Sequence, residues 1–152
     1  MRGSIYEAAG GRRGITALAE AWHRRALADP IVSHAFAHGF NPEHTDRLAA
    51  YWAEALGGPA EYTTSMGDQS SVVRMHSGNG EHREMDERAL ELFGLAVDEA
   101  GLGADRELRD TLVAYFAWAT TLMNAHPHSA DAVPQGLPMA RWSWDGPVRG
   151  AR

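Results

Sequence analysis

The sequence predicts an all-α fold, and three observations carry that prediction. Apolar residues recur at steps of three and four in four long segments, the period of a helix that buries one face. Clusters of glycine and proline separate those segments. No stretch shows the period-two alternation of apolar and polar residues that a half-buried strand needs.

Each element has its own signal. Ser4 to Ala9 reads as a short helix with Ser4 as its cap, and Gly10-Gly11 breaks it. Ile15, Leu18, Ala19, Trp22 and Ala26 line one face of a helix from about Arg13 to Ala28. Asp29-Pro30 stops it, because the residue before proline is pushed out of the α region. Ile31 to Phe40 reads as a mixed linker around Phe36. Asn41-Pro42 then offers an N-cap and a first-turn proline. The helix it opens carries His44, Leu48, Tyr51, Trp52 and Ala55 on one face and stops at Gly57-Gly58-Pro59. Residues 57–71 read as an irregular loop containing Tyr62, and a short helical turn, Val72 to His76, leads into the glycine-rich Ser77-Gly78-Asn79-Gly80. Met85, Ala89, Leu92, Phe93, Ala96 and Ala100 mark the next helix, ended by Gly101 and Gly103. Asp105 caps the last one, whose face is Leu108, Leu112, Tyr115, Ala119 and Leu122, and His126-Pro127 ends it. The remainder, with four prolines and with Trp142 and Trp144, reads as an irregular tail docked in part by its indoles.

A length of 152 residues fits one domain with a sizeable core, taken here as 1–152 with a helical core of about 5–124 and the tail at 126–152. The net charge of −6 argues against a nucleic-acid surface, which needs a basic stripe. No apolar run is long enough to span a membrane, and the N-terminus lacks the apolar core of a signal peptide. The absence of cysteine excludes disulfides, thiolate metal sites and thioether attachment of a cofactor, and it fits a cytoplasmic location.

The chemistry-bearing residues are histidines. His23 borders the apolar stripe of its helix, His44 lies on the stripe of the next, and His76 follows the apolar run Val72-Val73. His34, His38, His82, His126 and His128 have polar or loop neighbours and read as surface groups. No HxxxH or HExxH pair supports a zinc hydrolase. A single histidine on an apolar face is more often a satisfied core residue than a ligand. Three on three separate apolar elements are able to converge on one cavity, and imidazole suits iron.

The chain resembles the group II truncated haemoglobins, small globins built as a two-over-two helical sandwich. The motifs that carry the resemblance are Tyr6-x-x-x-Gly10-Gly11, Leu27-Ala28-Asp29-Pro30 and Trp52-x-Glu54-x-x-Gly57-Gly58-Pro59-x-x-Tyr62, with Arg74-x-His76 and Asp98-Glu99-Ala100-Gly101-Leu102. It covers about residues 5–124 and extends into the tail, where actinobacterial relatives have a similar Pro…Trp-x-Trp segment. The resemblance implies haem b as cofactor and His76 as the proximal iron ligand. It places Phe36 on the haem face, Leu48 in the distal wall, Tyr62 and Arg74 toward the propionates, and Met75, Met85 and Ala89 around the pocket. Plain core packing is the competing role for Phe36, and a solvated surface role competes for Tyr62 and Arg74.

Three positions depart from the family pattern. His23 stands where a distal tyrosine is usual, His44 takes a distal first-turn position, and Ala89 replaces a large tryptophan. Histidine titrates near ~6.5 rather than ~10, so His23 and His44 are candidate acid–base groups. The position of His44 near a helix N-terminus disfavours its charged form. A tryptophan buries about 150–250 Å², so Ala89 leaves either a cavity or a space for Met85 or Phe93 to fill. Three functions follow: a globin binding dioxygen, nitric oxide or a similar diatomic ligand; a haem enzyme using peroxide or a small organic substrate, served by a reductase; or a haem-free interaction domain. In the first, one distal histidine gates the ligand and the other fills space. Direct binding of iron by His23 or His44 is a further alternative.

Overall fold

The structure, a computed structural model, describes residues 3–36, 41 and 43–148. The expected linker is covered only to Phe36; His38, Phe40 and Pro42 lie outside the described residues. The helices are α1 (Ile5–Ala8), α2 (Gly11–Ala28), α3 (Glu43–Ala55), α4 (Glu61–Ser65), α5 (Gln69–Met75), α6 (Arg83–Glu99) and α7 (Arg106–Met123). Two 3-10 turns occupy Val32–Phe36 and Ala130–Ala132. The long helices pack as pairs: α2 lies against α3 and α6, and α6 lies against α7.

Local chemistry sets the boundaries. Ser4 caps α1 through a capping box with Glu7, and the Asp105 carboxylate accepts from Leu108 N–H at 3.1 Å to start α7. Gly10 and Gly11 both take positive φ, so α2 starts at Gly11, two residues before the expected Arg13. Asp29 ends α2 and is itself buried; its carboxylate accepts from Ile31 and Val32 N–H and pairs with Arg88 of α6 at 2.7 Å.

The widest departure from expectation is the segment 57–71. It is not an irregular loop but holds α4 and the start of α5. These helices are too short for periodicity to reveal. Their signal is the cap: Asp68 accepts from Ser71 N–H at 2.7 Å, and Ser71 Oγ reciprocates to the Asp68 backbone. The tail also differs. Trp142–Ser143 (β1) and Gly146–Pro147 (β2) form a small antiparallel hairpin, pairing Trp142 with Pro147 and Ser143 with Gly146. Two residues per strand are too few for alternation to show. Its indoles do dock it: Trp142 packs 5.1 Å from Trp118, and Trp144 Nε1 donates to Gly3 O at 2.8 Å.

The core explains why separated motifs occur together. Tyr6 N–H bonds Leu56 O at 3.0 Å, and a Cβ on Gly58 would stand 2.7 Å from the Tyr6 ring and from Ala53 O. The first turn of the chain therefore closes on the glycine corner after α3. At the centre Phe93 stacks on Phe116 at 4.4 Å and meets Trp52 edge-on at 5.4 Å. Phe93 is 1% exposed. Truncation of Phe93 to alanine is expected to lower unfolding free energy by about 3–5 kcal/mol, read as a reduced denaturant midpoint with little change in slope.

Candidate functional site

His76 is the C-cap of α5. Its backbone N–H bonds Val73 O at 3.0 Å, which turns the chain sharply as the helix ends. Its Nδ1 lies 2.8 Å from Val72 O. A carbonyl can only accept, so Nδ1 carries the proton and Nε2 keeps its lone pair. The residue remains solvent-accessible, yet enough protein surrounds the ring for desolvation to lower its pKa; the Val72 bond opposes this, and His82 and His44 add to it. The ring is thus surrounded by protein while the residue stays accessible to solvent.

The same face gathers the other two histidines. His23, on α2, is 6% exposed. Its Nδ1 sits 2.9 Å from Thr45 Oγ1 on α3, and its ring meets Phe36 edge-on at 5.9 Å. Burial first, and the nearby His44 second, push its pKa down to about 4. His44 therefore stands close enough to both His23 and His76 to act on each. Among the described residues no group of three or more His, Cys, Asp or Glu is placed to hold a metal ion unaided. The imidazoles face one region without closing into a protein-only metal site.

The remaining predicted residues fall around this region to different depths. Phe36, Met85 and Ala89 pack against the small cluster of Ala26, Val32 and Leu92. Leu48 packs on the main core, and Met75, beside His76, is largely exposed. Arg74 is half-buried, and its charge helps to hold the Asp68 carboxyl below its ordinary range, behind the bonds from Ser71. Tyr62 is buried on α4 with its ring edge-on to Tyr51 at 5.2 Å, and burial raises its pKa.

The sequence left the space beside Ala89 either open or filled by Met85 or Phe93. Met85 packs against the same small cluster as Ala89, Phe93 turns into the core stack, and Trp22 reaches the Ala89 backbone from α2. Its indole Nε1 donates to Ala89 O at 3.2 Å while its ring packs 5.6 Å from Phe116. Sequence periodicity had already put Trp22 on the buried face; what it lacked was the direction of the ring. His82 was expected at the surface as an isolated group. It is half-buried, with Nδ1 2.9 Å from Asp86, which also accepts from Asn124 Nδ2 at 2.8 Å, and it lies near enough to lower the His76 pKa. The i,i+4 spacing of His82 and Asp86 was the available signal.

The family model for bacterial-like globins matches residues 4–124. No curated protein matches the chain. Among solved structures, a haemoglobin from the thermophilic phototroph Chloroflexus aurantiacus is 24% identical with a TM-score of 0.68, over 81% of this chain and 98% of that one. The group II truncated haemoglobin of Bacillus anthracis is 21% identical with a TM-score of 0.71, over 84% of this chain and 95% of that one. A thermostable haemoglobin from the actinobacterium Thermobifida fusca is 25% identical with a TM-score of 0.66, over 89% of this chain and all of that one. With α2 packed on α3 and α6, and α6 on α7, the chain belongs to the bacterial-like globin family and has the fold of a group II truncated haemoglobin.

Proposed function

We propose that this globin binds haem b through His76 and takes dioxygen, nitric oxide or a similar diatomic ligand on the side of His23 and His44. The observation that carries the reading is the hydrogen bond from His76 Nδ1 to Val72 O, which leaves Nε2 as a neutral base aimed away from its own helix. The residues fit the group in chemistry as well. Phe36, Leu48, Met75, Met85 and Ala89 supply apolar surface, and Arg74 supplies a cation for a propionate carboxylate. Burial of the Tyr62 ring against Tyr51 favours a wall role for it over a propionate contact. The absence of cysteine leaves non-covalent haem b as the form that fits. When bound, haem would supply an iron able to take a small diatomic ligand. A cytoplasmic location belongs to the same proposal.

The chain's own contribution on the ligand side is imidazole rather than phenol or indole. His23 stays uncharged down to about pH 4, so at neutral pH it offers a dipole and not a cation. The Trp22 N–H is committed to the Ala89 carbonyl. The pairing of His23 with His44 supports a second reading, proton delivery to bound peroxide with electrons from a reductase. The placement of Trp22 leaves less room over Ala89 for an organic substrate.

Three outcomes follow. Replacing His76 by alanine should abolish the Soret band formed on haem titration, while circular dichroism stays helical; an unchanged spectrum removes the haem reading. Below its ordinary value of 6.5 the unfolded chain protonates His23 before the folded protein does, so stability present above that pH is lost as pH falls toward about 4. Denaturant melts of the haem-free protein should show this loss, and His23→Phe should shrink it. Ala89→Trp should cost about 1–3 kcal/mol by overpacking against Trp22, and adding Trp22→Ala should recover most of it in a double-mutant cycle.

A further inference from the structure

The helix that carries His76 is held from behind by the tail. Its buried face is Gln69, Ser70 and Val73, continued by Ser77. Ser70 Oγ donates to Pro134 O at 2.8 Å and accepts from Leu137 N–H at 3.0 Å. Gln69 Oε1 accepts from Ala140 N–H at 3.2 Å and from Tyr51 Oη at 2.8 Å. Past the histidine, Gly78 N–H bonds His126 O at 3.0 Å and Gly80 N–H bonds Pro127 O at 2.7 Å. Close packing enforces the second clamp, since a Cβ on Gly78 would stand 3.3 Å from Ala130 N. Both ends of a seven-residue helix are thus tied to one strap, residues 126–140. Arg141 anchors the strap's far end, its guanidinium lying 3.4 Å from Glu54 O and 3.5 Å from the fully buried Glu54 carboxylate.

We infer that the C-terminal strap positions the proximal histidine, with Ser70 and Gln69 as positioning residues that fix the height and tilt of α5 and so of the His76 imidazole. The inference rests on the reading of His76 as iron ligand. A helix of two turns has little stability of its own. Its register therefore depends on the groups that satisfy its polar face. Ser70 is 3% exposed and Gln69 4%, so bonds lost there are not replaced by water without opening the contact. A change in the strap reaches the iron ligand through six residues of helix.

The test uses the full chain with haem. Ser70→Ala removes both bonds of the Ser70 hydroxyl, and Leu137→Pro removes one of them from the strap side, leaving the sequence of α5 untouched. Both should retain the Soret band. Both should shift the iron–histidine stretching band of the ferrous protein and speed haem loss to an acceptor globin by about tenfold. In the haem-free protein, amides of residues 69–78 should exchange with deuterium faster, by a similar factor, while those of α2 do not change. Arg24→Ala, which breaks a surface pair with Glu99 at 2.7 Å, should alter none of these. If Ser70→Ala and Leu137→Pro both leave the stretching band, haem loss and exchange at the wild-type values, the inference is wrong. Loss of the Soret band in His76→Ala separates this failure from failure of the haem reading.

Discussion

A single hydrogen bond of 2.8 Å, from His76 Nδ1 to the Val72 carbonyl, decides what the site can do. It selects one tautomer, orients the ring, and leaves Nε2 as the nitrogen with an unprotonated lone pair. The bond forms because α5 ends at His76, so that the imidazole folds back on a carbonyl of the last turn. α5 in turn exists because Asp68 and Ser71 close a capping box at its start and the tail satisfies its polar back face. The function of the site therefore depends on a seven-residue helix that could not stand alone.

The opposite wall is built on longer and more rigid elements. α2 and α3 meet through the His23–Thr45 contact, and the 3-10 turn brings Phe36 edge-on to the same imidazole. Burial keeps His23 neutral, and its neighbour His44 reinforces this, since two adjacent imidazolium ions would repel. Trp22 ties α2 to α6 by donating its indole N–H to the Ala89 carbonyl.

The fold was largely legible because long amphipathic helices carry their period in the sequence. Ile15 to Ala26 and Leu108 to Ala119 were assigned to buried faces and are buried there, apart from Trp22, which is partly exposed. Short elements were legible only where a cap marked them, as Ser4 marks the four-residue α1. α4 spans five residues and each tail strand two, too few for a repeating pattern to show. Candidate site residues could be named from the sequence, but not the directions of their side chains. His23, His44 and His76 could be chosen because they sit on apolar stretches, but the ring direction of Trp22 depends on its partners Phe116 and Ala89, 94 and 67 positions away. The proximity of His82 to His76 was not legible for the same reason: the two are joined by the turn at Gly78–Gly80, which the tail pins.

The central proposal is that a neutral His76 ligates haem iron and that neither His23 nor His44 does. The optical spectrum of the ferrous wild-type protein, reconstituted with haem and kept free of oxygen, tests it most directly. The account predicts a five-coordinate, high-spin spectrum with a single imidazole ligand. A six-coordinate, low-spin spectrum would put a second histidine on the iron and contradict it, as would failure to take up haem.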